Sequence, residues 1–597
     1  MGDILLSWKD LREFIDHLES QGDLVRITRE VDPVQDITII QHRVLEAGGP
    51  ALLFENVKGS PYRLVTNLFG TAERVRAVFG RDPAEIGEQL ASLSEQLMPP
   101  SGKAVWKSRK LIWTCLKARM RTVKNGPILE SEFSPPQLDQ LPCLTCWPLD
   151  GGPFFTLPLV HTVDPVDGRG NLGIYRMQRY DSNSTGMHWQ IEKGGGFHFD
   201  QACKLGQSLP ISVFLGGPPA LTIAAITPLP EGLDERLLAA LIMGSPLDVI
   251  LRKGSQHKIP ASAEFVLEGS VSPGDLQHEG PFGDHLGHYS HSADFPVFRV
   301  KNMLARKDAI YPATVVGKPV QEDYFIGEAL QELTLPLLKC IKPGIHNLWA
   351  YPETGFHPLA VMSVRETYRH EGMKHAFSVL GEGQLSLTKV LIVVDDDVDV
   401  RDFEQVGNAI YENFDPTENL LLLAPTAQDT LDFTGPAINM GSRMVIMATR
   451  KNQEPERKVP PGELTGVGDL HKDILELSVM NRAMLIVQVA KGGDLQSVRE
   501  ALFQHPVTSQ YLFHVLVSED VPMNDQRLML WGWFTRFDPI SDVYAFRSEQ
   551  DGNRLKLHAP ICINATWKEG YRKPVKFDPD RLRKIEEEWD SYGIKLP

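Results

Sequence analysis

Cysteine is scarce in this sequence: six in 597 residues (Cys115, Cys143, Cys146, Cys203, Cys340 and Cys562), too scattered for a disulfide framework. Long apolar runs are missing as well. No stretch approaches the ~18 uninterrupted apolar residues that cross a bilayer. The opening MGDILLSWKDLREF carries early acids in place of the apolar core of a secretory signal. Positive charge is in deficit, with 61 Lys and Arg against 77 Asp and Glu and a formal net charge of −16. That balance argues against a protein that works by neutralising nucleic-acid phosphates. The expectation is a cytoplasmic protein in a reducing compartment. At 597 residues, 42% hydrophobic and 23% charged, the chain has the material for two to four domains.

What is present sorts by texture along the chain. Ser7, with Asp10 in the reciprocal position, is placed to cap a helix whose Leu11, Phe14, Ile15 and Leu18 repeat at helical spacing before Gly22. Runs at 51–54 and 62–65 read as strands, giving an α/β N-terminal domain over 1–124. Residues 103–124 carry eight Lys or Arg and no acid among aromatic and aliphatic residues. Such a segment packs its apolar face on its own domain, with peripheral membrane contact as the alternative. From 125 to 318 short β-rich runs alternate with Gly and Pro, the pattern of a barrel or sandwich.

The last part echoes itself. VLIVVDDDVDVRDFEQVGNAIYENFDP (390–416) resembles FHVLVSEDVPMNDQRLMLWGWFTRFDP (513–539) at a constant offset of 123 residues. Each copy reads as strand, acidic turn, amphipathic helix and Phe-Asp-Pro, and an apolar strand precedes each. This predicts one α/β module over 319–480 and a second over 481–597, closed by a helix capped at Asp578-Pro579.

Three clusters carry chemistry. In EGPFGDHLGHY (279–289), Glu279 and Asp284 flank a glycine-rich turn that lets backbone approach a ligand, and paired carboxylates can have their pKa values driven apart. In GNLGIYRMQRYDSNSTGMHWQIEKGGGFHF (170–199), Asn171, His188 and Glu192 suit a hard divalent ion, and Arg176 and Lys193 suit a phosphate or carboxylate. In TPLPEGLDERL (227–237), Asp234 and Glu235 open a helix, where acids usually just complement the dipole. Taken singly, each cluster is equally a solvated turn, an irregular hairpin and a helix start. Cys143-Leu-Thr-Cys146 has no second CxxC, Gly194-Gly195-Gly196 lacks a P-loop's Lys-Ser/Thr, and no Gly-x-Ser-x-Gly elbow exists.

Together, NLGIYRMQ (171–178), MHWQIEKGG (187–195), TPLPEGLDE (227–235), PASAEFVLEG (260–269) and EGPFGDHLGHY (279–289) resemble the UbiD-like decarboxylases. ALLFENVKGSPYRLVTNLFGT (51–71) and VVDDDVDVRDF (393–403) extend the likeness to about residue 450. The resemblance implies an N-terminal α/β domain, a split β-barrel like that of flavin reductases, and a C-terminal α/β domain used in oligomerisation, hence a homodimer or higher homo-oligomer. It implies prenylated FMN as cofactor, supplied by a flavin prenyltransferase and anchored through Mn²⁺ or Mg²⁺, often with K⁺ nearby. On this chain the metal positions are Asn171, Glu192 and Glu235. The cofactor positions are Ile174, Tyr175, Arg176, His188, Trp189, Gln190, Lys193, Gly194 and Arg443. The catalytic positions are Arg176, Glu279 and Asp284, with Asp284 delivering the proton and Glu279 tuning it. The modified flavin would serve as electron sink for decarboxylation at an sp² carbon.

Three departures stand out: Glu192 replaces a histidine ligand of many relatives, Arg443 stands where a phosphate-binding lysine is expected, and the second module, roughly 480–570, exceeds the shorter family members. The implied activity is non-oxidative decarboxylation of an aromatic or α,β-unsaturated acid, with a polyprenyl-hydroxybenzoate of ubiquinone-type biosynthesis as first candidate and smaller phenolic acids as second. The competing expectation is an impaired paralogue serving as a flavin-binding or scaffold subunit of a carboxylase complex.

Overall fold

The computed structural model describes residues 8–96, 118–189, 194–229, 232–450 and 470–597, together with positions 106, 109, 112, 113, 116, 462 and 464. The chain divides into two compact units, Met1–Thr334 with Lys573–Pro597, and Leu335–Arg572. No helix among the described residues is long and apolar enough to cross a membrane.

The first unit opens on the expected helix, Leu11–Ser20, whose apolar stripe Leu11, Phe14, Ile15 and Leu18 is buried. Its cap is Asp10, which accepts the Glu13 N–H at 2.9 Å; the expected cap Ser7 lies outside the described residues. A four-stranded sheet follows, ordered Leu24–Val31, Ala51–Val57, Arg63–Thr66 and Ile310–Pro312. The central region is one seven-stranded antiparallel sheet running Ser184–Gly186, Ala293–Ala305, Phe265–Glu279, Leu209–Leu215, Leu159–Val163 and Gly170–Ile174, with Ser131–Phe133 added to the Ala293 strand. Strand periodicity decides its packing. Leu209, Ile211, Val213 and Leu215 enter one core cluster, whereas Phe214 points to the other.

The chain returns to this unit at its far end. Asp578 caps Pro579–Glu587 by accepting from Asp580 and Arg581. Arg581 and Lys584 bind the buried Asp36 at 2.8 and 2.7 Å, and Val575 and Ile585 join the core around Ile37 and Trp147. The Tyr289 N–H donates to the Lys573 carbonyl and the Val575 N–H to the Gly287 carbonyl, each at 3.0 Å. The 573–575 stretch therefore backs the 279–289 motif.

The second unit holds two five-stranded sheets of one topology. The first is ordered Ile345–Ala350, Leu359–Val364, Val390–Asp395, Met440–Ala448 and Leu420–Ala427, with both edge pairings antiparallel and the inner ones parallel. The second, Ile474–Asn481, Met484–Val489, Phe513–Ser518, Arg554–Ala565 and Val543–Asp551, repeats that order and those directions. Helices Phe403–Asn413 and Gln526–Phe534 occupy equivalent places, each capped by an aspartate, Asp402 and Asp525.

Candidate active site

The site is assembled from two segments of the antiparallel sheet. Arg176 follows the Gly170–Ile174 strand, Glu279 ends the Phe265–Glu279 strand, and Asp284 and Ser290 lie in the turn beyond it. Gly280 takes a positive φ of 94° that a side chain would strain. Three bonds hold the turn: the Gly280 N–H to Gln178 Oε1, the Gly283 N–H to Asp150 Oδ1 and Gln178 Nε2 to the Gly151 carbonyl, all 2.8 Å.

Residues 103 and 108 positions apart meet on one guanidinium. Arg176 Nε donates to Glu279 Oε1 at 3.3 Å, Nη1 donates to Asp284 Oδ2, and Nη2 donates to Ser290 Oγ at 2.9 Å. The Arg176 guanidinium carbon also lies 5.1 Å from the centre of the Phe282 ring. Glu279 is fully buried, and its Oε1 also meets His188 Nδ1 at 3.0 Å. Against an ionised Glu279 that nitrogen is the donor, so the neutral ring leaves Nε2 as its acceptor. Burial, helped by the neighbouring Arg176, holds His188 below the usual histidine range.

Opposing forces act on Asp284. Burial pushes its carboxyl upward, but the Arg176 charge and His285 more than offset this and hold it well below the usual carboxylate range. The His285 N–H and ring Nδ1 lie 2.8 and 3.2 Å from Asp284 Oδ1. Asp150, behind the turn, is pushed up to about 7 by burial despite its backbone donors.

Several polar atoms are buried without a partner among the described residues: Glu279 Oε2, His188 Nε2 and Trp189 Nε1. A buried polar atom left alone is costly, so these atoms call for a further partner. Beside it, the Gly195 N–H donates to Tyr175 Oη at 3.0 Å, and Asn171 Nδ2 lies 3.4 Å from the same oxygen. A Cβ at Gly194 would sit 2.2 Å from Asn171 Oδ1, and one at Gly195 2.5 Å from the Trp189 ring. Backbone must therefore approach closely at both positions. The unpartnered acceptors and donors of Glu279, His188 and Trp189 fit a bound group that forms hydrogen bonds. Glu235 Oε2 accepts the Leu172 N–H at 2.7 Å, next to Asn171, and burial raises its carboxyl to about 7. Ile174 lies at the end of its strand, half-buried.

Of the other expected residues, Gln190, Glu192 and Lys193 lie outside the described residues. Arg443 belongs to the second unit, where its guanidinium donates to the backbone carbonyls of Leu380, Ser386 and Ala427. Among the described residues no group of three His, Cys, Asp or Glu could hold a metal. Sequence reasoning did not single out Ser290, His285, Asp150 or Gln178. Ser290 adjoins the motif and Asp150 opens a Gly-Gly-Pro turn, but only the fold carries Asp150 and Gln178 to the back of residues 280–283.

Three profiles of one family match in order, described as the N-terminal, Rift-related and C-terminal domains of 3-octaprenyl-4-hydroxybenzoate carboxy-lyase, over residues 15–94, 121–319 and 324–448. A Chlamydia pneumoniae protein, named as one of the subunits of a 4-hydroxybenzoate decarboxylase, is 39% identical over 98% of this chain and 98% of its own. Among solved structures, a Sedimentibacter hydroxybenzoicus vanillic acid decarboxylase in closed form is similar with a TM-score of 0.67 and 26% identity, covering 77% of this chain and 98% of that one. The UbiD-class enzyme HmfF from Pelotomaculum thermopropionicum, in complex with FMN, gives a TM-score of 0.62 and 25% identity over 77% and 98%.

Proposed function

The chain belongs to the UbiD family of carboxy-lyases, decarboxylases of aromatic acids, and from that premise we propose that Arg176, Glu279 and Asp284 run a non-oxidative decarboxylation on prenylated FMN. The observation that carries this reading is the single guanidinium shared by two buried carboxylates beside unpartnered buried polar atoms. Tyr175, Arg176, His188, Trp189 and Gly194 would hold the flavin. Asn171 and Glu235, with Glu192 as third candidate, would hold a Mn²⁺ or Mg²⁺ at its phosphate. When bound, the cofactor supplies the electron sink that the departing carboxylate requires.

The chain's own residues handle charge and proton. Arg176 is the cation available to a substrate carboxylate. Burial is the largest influence on Asp284, and Arg176, ahead of His285, leads what opposes it. A substrate carboxylate drawing on the same guanidinium therefore frees Asp284 to rise and take up a proton. Once CO₂ leaves, Asp284 returns that proton to the substrate carbon. Glu279, fixed by Arg176 and His188, keeps the guanidinium oriented. His285, about a quarter exposed beside Asp284, links the carboxyl to solvent.

A para-hydroxylated benzoate is the proposed substrate, with or without a polyprenyl tail; the names of the Chlamydia and Sedimentibacter proteins favour such a head group. The test is holo-protein, co-expressed with a flavin prenyltransferase, given benzoates of both kinds in D₂O. CO₂ release with deuteron capture at the vacated carbon is expected, slowed by at least ~10²-fold in Asp284→Asn and Glu279→Gln. Undiminished turnover in both variants would sink the assignment. A chain that takes up no flavin and releases no CO₂ would favour the scaffold-subunit reading.

We also read the seven-stranded sheet as the split barrel of the resemblance, and the two five-stranded sheets as a tandem duplication. Their common strand order and the 123-residue offset support that reading.

A further inference from the structure

The two repeated modules of the second unit face each other reciprocally. Helix Phe403–Asn413 of the first packs on strand Ile474–Asn481 of the second, while helix Gln526–Phe534 of the second packs on the Pro352–Thr354 turn of the first. Phe414, closing the first repeat, stacks on Phe513 at 5.7 Å, where the second module's central strand begins. Its counterpart Phe537 meets Lys389, 5.2 Å from ring centre to ammonium, just ahead of Val390, the counterpart of Phe513. Phe403 and Trp533 bring the two helices together with ring centres 6.4 Å apart, and one apolar cluster spans both modules. Gly407 permits the closest approach: a Cβ there would fall 2.1 Å from Asn481 Cγ. Contacts in which each half offers the other the same surface are those of an isologous, two-fold interface.

The halves also differ, in the connection between their last two strands. In the first module the strands Leu420–Ala427 and Met440–Ala448 are joined by a loop over 428–439; in the second, Asp551 pairs directly with Arg554 across Gly552 and Asn553. Val390 pairs with Met444 and Phe513 with Ile561, which places Pro560 opposite Arg443 in the comparison. The second module has the pairing face of the first but neither its loop nor its buried arginine. It lies beyond residue 448, where the family profiles stop.

We infer that residues 470–572 are a built-in partner: they cover, within one chain, the face by which the first module would otherwise pair with a second copy of itself. The inference is independent of the decarboxylase reading, since neither the site residues nor a cofactor enters it.

The test uses the full chain with Gly407→Cys and Asn481→Cys. The two Cβ atoms would be no more than about 3.6 Å apart, within disulfide reach. Oxidation is expected to link the cysteines within one chain at every protein concentration, read by non-reducing gel and peptide mass spectrometry. A bond joining two chains, or no bond, overturns the inference. A second arm takes the Sedimentibacter decarboxylase, which matches only 77% of this chain, as a mixture of light and heavy isotope forms. Cross-links are expected to join its counterpart of the Phe403–Asn413 helix to the other isotope form. If that helix gives no cross-link between chains, the first module has no self-pairing face and the inference fails.

Discussion

Two buried clusters show opposite ways of using burial. Around Arg176 the buried carboxylates of Glu279 and Asp284 are tolerated because one guanidinium lies beside both. Between the repeated modules the buried groups are aromatic and aliphatic, with Trp531 and Trp533 among the largest fully buried side chains. The first arrangement contributes little net stability and fixes the positions of its atoms. The second contributes stability through area and contact and holds modules together. The contrast separates residues proposed to act in the reaction, whose loss should cost turnover as well as stability, from residues whose loss should cost stability alone.

The sharpest break in that contrast is Arg176→Met. It leaves Glu279 and Asp284 buried without their cation, at an expected cost of about 3–5 kcal/mol to the first unit, with decarboxylation abolished. Asp284, with burial then less opposed, should rise and protonate, so the variant should regain stability as pH falls. Denaturant titrations at pH 7 and 5 check this; equal loss at both would show that the charges were not the cause.

Trp533→Ala should cost a similar ~3–5 kcal/mol, confined to the second unit. Calorimetry should show that unit's transition falling while the first unit's stays in place.

Acid provides the third probe. Burial holds His514 down at about 4, so the folded ring resists a proton that the unfolded chain accepts near 6.5. Its contribution is complete above about 6.5 and is lost as pH falls toward 4, on the order of 3 kcal/mol. His514→Gln should flatten that part of the second unit's pH profile; an unchanged slope would assign it elsewhere.

The smallest effect expected is Gly186→Ala. Its Cβ would sit 2.3 Å from Glu279 Oε2, a clash costing roughly 1–3 kcal/mol. Turnover should fall more than stability, because the displaced group is Glu279. Steady-state kinetics beside thermal melts would reveal the split.

The sequence is legible where local physics decides. The 11–20 helix, the Asp578 cap and the 123-residue echo all follow from periodicity, capping and repetition within a few dozen residues. The site is legible only through resemblance, since Arg176 and Glu279 lie 103 positions apart and the sheet alone brings them together. Ser7 competes with the true first cap because Ser and Asp cap equally well, and Asp10 stands nearer the buried stripe. Asp150 gives no signal of its own because an acid in a turn usually faces water; here its carboxylate binds the Gly283 and Trp147 N–H groups.

The return of Lys573–Pro597 to the first unit has a consequence for synthesis. A ribosome makes residues 279–289 and then some 280 further residues before the stretch that backs them emerges, tens of seconds later at ~5–20 residues per second. Until then the Tyr289 N–H and Gly287 carbonyl lack their partners, and Trp147 lacks the Phe577 ring stacked 4.9 Å away. The nascent 279–289 turn must therefore wait, half-supported, for the far end of its own polypeptide. A nonsense codon near 573 would release a chain carrying Arg176, Glu279 and Asp284 without the segment that backs their turn.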